Sequence, residues 1–431
     1  MFDLNLIRNQ TEQVRRGLAS RQAEDPLDRI LELDAQRRSL LSEVEGLRAR
    51  RNAVSKEIAR MPQALAREEK IAEMKSVGDR IGLAETRVRE TEEELNRLLA
   101  SLPNLPDPRT PFGKDEGDNV VLRYGGEPLQ VPFPVKAHWD LGPQLGILDF
   151  EQGARMTGSR FYVLHGAGAR LQRALIAWML DLHIQQGYHE VYPPFLVRSH
   201  ALFSAGQLPK FADNLYHDAE EDLWLVPTAE VPLTNLHADE ILEADALPLW
   251  YVAYTPCFRR EKMAAGRDVR GIKRGHQFDK VEMYKFCTPQ ASEDELERML
   301  ADAEQTCRLL GLAYRIKVLC TGDLGFSAQR TYDVEVWAPG CGEWLEVSSV
   351  SNCGDFQARR ANVRYRPARG AHPEFVHTLN GSGLGLPRTL IAVLENGQTP
   401  EGTVRIPPVL RPWMGGIEEI GPTKEPIRPP T

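Results

Sequence analysis

The segment FRREKMAAGRDVRGIKRGHQF, residues 258–278, contains the residue types of an anion-binding site. Side chains two positions apart on a β-strand point to the same face. If the end of this segment and the residues after it are extended, Arg274, Phe278 and Glu282 share a face. A guanidinium suits phosphates, an aromatic ring stacks under a base, and a carboxylate binds an amine or a hydroxyl. The pattern predicts one pocket that receives all three groups.

The first half of the segment repeats this arrangement. Arg259 and Glu261 share a face on the strand predicted before the loop. The loop itself, residues 262–273, contains Gly266 and Gly271, which allow the chain to turn and to approach a ligand closely. A solvated basic hairpin is the alternative interpretation, and the motifs elsewhere in the chain decide between the two.

A second motif, TAEVPLTNLH, covers residues 228–237. Thr228 suits a helix N-cap, whereas Glu230, close to an apolar run, suits an ammonium group. In EVSSVSNCGDFQARR, Glu346, Ser348 and Ser349 lie on a predicted strand, where metal ligation competes with ordinary edge-strand polarity.

A third motif, LNGSGLGLPRTLIAVLENGQ, predicts a glycine turn followed by a helix that starts near Pro387 and stops at Gly397. Arg388 falls in the first turn of this helix. Exposed backbone N–H groups and the helix dipole favour anions there.

These motifs require a sheet to position them. Strands are predicted at 250–258, 276–286, 331–337 and 343–350, and helices at 169–187 and 291–311. Successive strands are not separated by regular crossover helices, which favours an antiparallel sheet with packed helices. The predicted fold class is α+β.

The N-terminal quarter has a heptad pattern in two runs that are separated near Pro62. It predicts an antiparallel coiled-coil hairpin, with Arg37 and Arg51 at two seam positions. The other seam positions are Ile30, Leu33, Leu40, Val44, Leu47, Val54, Ile58, Met61, Met74, Val77, Ile81, Ala84, Val88, Thr91, Leu95, Leu98 and Leu102. Such a hairpin either dimerises or extends as a lever towards a partner.

A proline- and glycine-rich segment, residues 103–119, predicts a domain boundary. The predicted units are an N-terminal domain at 1–108 with its arm at about 28–102, a catalytic domain at 109–416, and a disordered tail at 417–431. The composition predicts a cytoplasmic protein, because no apolar run is long enough for a membrane span or a signal peptide. Six cysteines without a C-x-x-C pair favour reduced thiols, and no zinc site is expected.

In order along the chain, the strings PTAEVPLTNLH, GHQFDKVEM, CTGDLGFSAQRTYDVEVW, SNCGDFQARR and LNGSG resemble the bacterial type of seryl-tRNA synthetase, a class II aminoacyl-tRNA synthetase. GYHEVYPPFLV at 187–197 resembles the first class II signature, which implies a homodimer interface at Pro193 or Pro194. The basic segment resembles the second signature, and GLGLPRTL the third. The resemblance covers nearly the whole chain.

The resemblance implies that Arg259 contacts the α-phosphate of ATP and that Arg388 contacts the γ-phosphate, both as catalytic residues. Glu261 is expected near the adenine, Phe278 stacked on it, and Arg274 over the phosphates. The other ATP-binding residues that it implies are Arg260, Gly275, Glu346, Val347, Ser348 and Ser349. Glu346 and Ser349 are also the expected Mg²⁺ ligands, which requires a bulge or a strand end between them.

For L-serine, the resemblance implies a pocket made of Thr228, Ala229, Glu230, Glu282, Asn380 and Ser382. It implies tRNA(Ser) and tRNA(Sec) as acceptors, bound by the arm, where Arg48, Arg50, Arg51 and Lys56 are candidate contacts. Gly385 to Pro387 are expected to be structural only. A ligase that transfers an activated amino acid to a non-tRNA acceptor, and a catalytically inactive binding protein, are the alternatives.

Overall fold

The computed structural model describes residues 2–59, 64–262 and 270–422. It divides the chain into two compact units, Met1–Pro103 and Asn104–Thr431. The division falls at the start of the proline-rich segment in which the sequence predicts a boundary.

The first unit is helical. Its helices are α1 (Leu4–Asn9), α2 (Thr11–Ser20), α3 (Leu27–Ile58) and α4 (Ala64–Ser101). At 1.5 Å per residue, the 32 residues of α3 and the 38 of α4 extend roughly 48 and 57 Å. The two helices pack against each other as the predicted antiparallel hairpin, because the apolar heptad positions on both face the partner helix.

The seam of the hairpin follows the heptad prediction with two exceptions. Arg51, assigned to the seam, is exposed, and Leu99 is more deeply buried than Leu98. Met61 lies outside the described residues. The buried seam positions are Ile30, Leu33, Leu40, Val44, Leu47, Met74, Val77, Ile81, Ala84, Thr91, Leu95 and Leu102.

The second unit combines helices with a large sheet. The helices are α5 (His138–Gln144), α6 (Phe150–Thr157), α7 (Gly166–Gln185), α8 (Ser199–Ser204), α9 (Glu230–Thr234), α10 (Ser292–Leu309), α11 (Phe356–Ala361) and α12 (Leu386–Asn396). The strands are β1 (Val120–Gly125), β2 (Leu148–Asp149), β3 (Val163–Leu164), β4 (His189–Glu190), β5 (Leu196–Val197), β6 (Trp224–Leu225), β7 (Ile241–Glu243), β8 (Leu249–Phe258), β9 (Gln277–Cys287), β10 (Tyr314–Val318), β11 (Arg330–Ala338), β12 (Glu343–Asn352), β13 (Arg364–Arg366), β14 (Glu374–Phe375), β15 (His377–Gly385), β16 (Val404–Arg405) and β17 (Glu419–Ile420).

Eight strands form the main sheet in the order β1-β10-β11-β12-β15-β9-β8-β4. Its neighbouring strands are antiparallel, apart from the parallel pair of β4 and β8. The predicted α+β class with a mainly antiparallel sheet is confirmed.

The two faces of the sheet have different chemistry. On β9, Val281 and Met283 are fully buried in the main apolar core, together with residues of α7, α10 and α12. Phe278, Lys280 and Glu282 alternate with them and therefore occupy the opposite face. That opposite face carries the polar cavity described below.

Two bulges interrupt the pairing around this polar face. Between β11 and β12 the register shifts so that Val347 has no partner, and between β15 and β9 the same happens at Gly383. A bulge inserts one residue into a strand and re-aims the side chains on either side. The bulge that the sequence requires between Glu346 and Ser349 is therefore present.

The predicted disordered tail at 417–431 is wrong at its start. Glu419–Ile420 pairs with Val404–Arg405, and Ile420 is 3% exposed. These short strands close one edge of the apolar core. Residues 423–431 lie outside the described residues.

The six cysteines are free thiols, of which five are buried and Cys341 is half-buried. Within the described ranges, no helix has both the length and the apolar character needed to cross a membrane.

Candidate active site

A cavity of about 590 Å³ lies over the polar face of β9, β12 and β15, a volume typical of a small-molecule site. It gathers residues that are more than 150 positions apart in the sequence, from Glu230 to Arg388. The predicted site residues that line it are Glu230, Arg259, Glu261, Arg274, Gly275, Phe278, Glu282, Glu346, Val347, Ser349, Asn380, Ser382 and Arg388. The predicted residues outside the lining are Thr228, Ala229, Arg260 and Ser348.

Residues at the two ends of the β8–β9 loop form one wall. The prediction that Arg259 and Glu261 lie on a strand is wrong, because β8 ends at Phe258. Arg274 also precedes its strand, which begins at Gln277. Glu261 has a φ of 49°, which is uncommon for a residue other than glycine and is typical of functional turns. Its carboxylate accepts a hydrogen bond from Nη1 of Arg274 at 3.2 Å.

Phe278, Lys280 and Glu282 form the floor. The guanidinium of Arg259 lies 5.0 Å from the centre of the Phe278 ring, and its Nε donates to the carbonyl of Pro227 at 3.2 Å. Lys280 forms an ion pair with Glu282. Sequence reasoning missed Lys280, although the same two-residue alternation that selected Phe278 and Glu282 also selects it.

Glu230 is a buried carboxylate at the deep end of the cavity. Its Oε1 accepts hydrogen bonds from Nε2 of Gln357 at 2.6 Å and from Nδ2 of Asn380 at 3.3 Å. Burial, followed by repulsion from Glu282, raises the pKa of Glu230 to about 7, while Lys280 opposes the shift. Near neutral pH this carboxyl group is therefore only partly ionised, and a cationic ligand would favour the ionised form.

Thr228 and Ala229 support Glu230 from outside the lining. The hydroxyl of Thr228 accepts a hydrogen bond from the backbone N–H of Glu230 at 3.2 Å, but Ala229 and not Thr228 occupies the N-cap position weighed for Thr228. Ala229 is fully buried in an apolar cluster with Leu233 and Tyr284. The side chains of both residues fix the start of α9.

The bulge at Val347 shapes the opposite wall. It brings both Glu346 and Ser349 into the lining, although strict alternation would place them on opposite faces. Ser348 points elsewhere, since its hydroxyl donates to the carbonyl of Ser382 at 2.7 Å. Ser348 therefore links β12 to β15.

The same wall has the chemistry of a Mg²⁺ site. Carboxylate and hydroxyl oxygens are the ligands that this cation prefers, and Glu346 and Ser349 supply them. Asp333 pairs with Ser349 across the strands, and its buried Oδ1 has no hydrogen-bond partner among the described residues. Burial, followed by repulsion from Glu346, raises the pKa of Asp333 well above its usual value. The buried Asp333 and the exposed Glu346 together place an excess of negative charge here, which suits a divalent cation.

Arg388 lies in the first turn of α12, as predicted. Its Nη1 donates to the carbonyl of Glu346 at 2.8 Å and lies 3.2 Å from Oε2 of the same residue. The expectation that Gly385 to Pro387 are structural only is incomplete, because Gly385 and Pro387 also line the cavity.

Further lining residues lie within the quoted motifs but were not assigned to the site from the sequence. Lys273 lines the cavity and pairs with Glu343, Ser351 follows Ser349 on β12, and Phe326 comes from a loop. Arg260 is exposed, with its guanidinium 5.9 Å from the centre of the Tyr216 ring.

The arginines of the arm have mixed surroundings. Arg48 pairs with Glu85 at 2.6 Å, and Arg50 pairs with Glu73. Arg51 and Lys56 are exposed, with no ion pair to any residue that the structure describes. Their side chains are therefore better placed for an external anion than the two paired ones.

Comparison with known proteins assigns both units. The family model "tRNA synthetase class II core domain (G, H, P, S and T)" matches residues 211–397, so the second unit contains the class II synthetase core. The model "Seryl-tRNA synthetase N-terminal domain" matches residues 1–106. The chain belongs to the seryl-tRNA synthetase family.

Individual relatives are similar to this chain over nearly the whole length of both proteins. A serine--tRNA ligase of Roseiflexus castenholzii is 65% identical over 97% of this chain and 99% of its own. The crystal structure of seryl-tRNA synthetase from Pyrococcus horikoshii complexed with ATP has a TM-score of 0.91 at 39% identity, covering 98% and 100% of the two chains. That of cytoplasmic serine-tRNA ligase from Naegleria fowleri in complex with AMP has a TM-score of 0.85 at 30% identity, covering 98% and 99%.

Proposed function

We propose that this chain acts as a serine--tRNA ligase, which activates L-serine with ATP to seryl-adenylate and transfers the seryl group to tRNA. The observation that carries the proposal is the single cavity in which arginines, an aromatic ring and two buried carboxylates meet. The relatives named as serine--tRNA ligases match nearly the whole chain, which favours a tRNA acceptor over the alternative non-tRNA acceptor.

ATP occupies the half of the cavity between β9 and α12. Phe278 stacks on the adenine, with Glu261 beside it. Arg259 binds the α-phosphate, and Arg274 and Arg388 bind the other phosphates, with Arg388 leaving Glu346 to do so. Two unit charges about 4 Å apart interact by roughly 4 kcal/mol at an effective dielectric constant near 20, so each arginine contributes appreciably.

Glu346 and Ser349 would hold Mg²⁺ together with ATP. When bound, the ion neutralises phosphate charge that the arginines do not reach. In binding the cation, Glu346 would give up its ion pair with Arg388, and the guanidinium would then be available to the phosphates.

Serine binds at the deep end, beside Glu230, Glu282 and Asn380. The carboxylates receive the ammonium group, and Ser382 and Asn380 offer polar groups to the hydroxyl. The carboxylate of serine is ionised at neutral pH, so it attacks the α-phosphorus without a general base and pyrophosphate leaves. The residues of the site supply positioning and charge neutralisation.

The acceptors are tRNA(Ser) and tRNA(Sec), bound through shape and backbone charge by the arm. The enzyme is a cytoplasmic homodimer. Support for the dimer comes from apolar side chains near β4, the edge strand of the sheet, where Tyr192 is 79% and Leu196 49% exposed. Exposed apolar residues at a sheet edge suit a partner surface.

The test is serine-dependent exchange of pyrophosphate into ATP by the purified protein. We expect exchange with serine, and Glu282→Ala should raise the KM for serine by about 100-fold while that for ATP changes little. Arg388→Ala is the matched control, and it should raise the KM for ATP while that for serine changes little. Absence of exchange with folded protein, or equal effects of both variants on both substrates, would contradict the proposal.

A further inference from the structure

A buried histidine–glutamate pair lies outside the lining of the cavity, at the opposite end of α12 from Arg388. His138 is the first residue of α5 and Glu395 belongs to the last turn of α12, and both are fully buried. The helix that contains Glu395 at its end carries Arg388 in its first turn. The pair is therefore attached to an element that contributes to the site.

Glu395 is saturated with hydrogen bonds. Its Oε1 accepts from the backbone N–H of His138 and from Nδ1 of the same ring, both at 2.9 Å, and from the thiol of Cys341 at 3.1 Å. Its Oε2 accepts from the backbone N–H groups of Gly340 and Cys341 at 2.9 and 3.0 Å. Burial opposes ionisation of Glu395, but hydrogen bonds from His138 and from the thiol of Cys341 lower its pKa.

The other ring nitrogen of His138 reaches the loop between β8 and β9. The backbone N–H of Ile272 donates to Nε2 at 3.1 Å. Because Nε2 accepts this bond, the proton of the neutral ring lies on Nδ1 and points to Glu395. The ring can serve both partners only in this tautomer.

The loop also packs closely on the ring. Gly271 has a φ of 75°, and a Cβ there would lie 2.0 Å from Nε2 of His138. Ile272 is 1% exposed. The residues that follow directly, Lys273, Arg274 and Gly275, line the cavity.

His138, Cys341 and Glu395 also bring one nitrogen, one sulfur and one oxygen atom within 4.8 Å of one another, a donor set that metals use. Each of these atoms is already engaged in the hydrogen bonds above. The network therefore has its own explanation as a mechanical link.

We infer that the His138–Glu395 pair positions the ATP-binding limb Gly271–Gly275, through the single hydrogen bond from Ile272 to Nε2. Both residues are positioning residues, and the inference rests on the proposed ATP site. Glu395 fixes the ring, the ring fixes Ile272, and Ile272 fixes the backbone two residues before Arg274. The carboxylate of Glu395 thus helps to fix the positions of both Arg274 and Arg388.

Two substitutions separate the halves of the link. In His138→Asn the amide can still donate to Glu395 but is too short to reach Ile272, whereas in His138→Gln the amide carbonyl can accept from Ile272. We expect His138→Asn to raise the KM for ATP about tenfold, with calorimetric serine binding in the absence of ATP within twofold of the wild type. His138→Gln should recover most of the loss.

Hydrogen exchange of the Ile272 amide gives a readout that does not depend on activity. It should accelerate about tenfold in His138→Asn and less in His138→Gln. Gly271→Ala, which leaves the histidine in place, provides a second variant and should also weaken ATP binding selectively. Equal losses for ATP and serine, or unchanged Ile272 exchange in His138→Asn, would overturn the inference. Wild-type protein that does not exchange pyrophosphate into ATP would instead contradict the proposed function. The hydrogen exchange of the Ile272 amide would still test the link to His138.

Discussion

At the scale of single residues, the end of the cavity proposed to bind serine contains an unbalanced charge. Glu230 and Glu282 are both buried, and Lys280 is the cation that pairs with Glu282. When two neighbouring carboxylates have one cationic partner between them, the second carboxylate costs more free energy to ionise. Glu230 therefore holds a proton at a pH where an ordinary glutamate is ionised, and an ammonium ligand would replace that proton.

This predicts that serine binding releases a proton. With the pKa of Glu230 at about 7, we expect the Kd for serine to weaken about tenfold from pH 8 to pH 6, because the protonated form must ionise first. Calorimetry in buffers of different ionisation enthalpy measures both the affinity and the proton. In Glu230→Gln the binding should be weaker and its pH dependence flatter. A wild-type affinity that does not change with pH would contradict the prediction.

Glu230 also affects the stability of the fold, and here higher pH is unfavourable, whereas it favours serine binding. The folded-state pKa of Glu230 lies above its unfolded value of 4.5, so the native chain retains a proton that the unfolded chain loses. The contribution of Glu230 to the free energy of unfolding is complete below pH 4.5 and is lost as the pH rises through about 7. Bound serine offsets this loss, since it supplies the positive charge.

At the scale of elements, the polar face depends on two bulges that alter adjacent strands. Strand alternation in the sequence predicted that Phe278 and Glu282 share a face, and it also showed that Glu346 and Ser349 need a bulge. It could not place Arg259, which lies in a turn whose geometry depends on contacts distant in sequence. For the same reason Phe326 was missed, because its loop joins the cavity only through the tertiary fold.

The bulge at Gly383 should not tolerate a side chain. A Cβ there would lie 2.2 Å from Nε2 of His183, a fully buried ring that hydrogen-bonds the Gly383 carbonyl at 3.0 Å. We expect Gly383→Ala to lower the free energy of unfolding by about 1–3 kcal/mol, as overpacked cores do. Urea denaturation measures the change.

Gly82 provides the matched control, since a Cβ at this exposed position in α4 would meet nothing within 4 Å. Gly82→Ala should stabilise the helix by about 0.5–1 kcal/mol through helix propensity. If Gly383→Ala were as stable as the wild type, the close contact with His183 would not constrain this bulge.

At the scale of the whole molecule, the proposed function divides chemistry and tRNA recognition between the two units. The residues that line the cavity belong to Asn104–Thr431, whereas Met1–Pro103 contributes the long hairpin. The formal net charge of -8 disfavours indiscriminate RNA binding, so local cations must attract the nucleic acid. On the arm, Arg51 and Lys56 are exposed, while Arg48 and Arg50 brace the two helices.

This division predicts that shortening the arm separates the two half-reactions. Removing residues 41–87 and joining Leu40 to Val88 by a short glycine–serine turn retains the Arg37–Glu92 ion pair at the base of the hairpin. Serine-dependent pyrophosphate exchange should remain within about twofold, because the cavity is untouched. Charging of tRNA(Ser) should fall by about 100-fold or more, because the phosphate contacts of the arm are lost.

Full-length variants test which cationic side chains of the arm are needed for charging of tRNA(Ser). Arg51→Ala combined with Lys56→Ala should weaken charging and reduce its dependence on salt, since each lost phosphate contact lowers the number of counterions released. Arg48→Ala should have a smaller effect, because Glu85 already neutralises this side chain. Normal charging by the shortened protein would show that the arm does not bind tRNA, and a larger effect of Arg48→Ala would reassign the contact to the paired arginines.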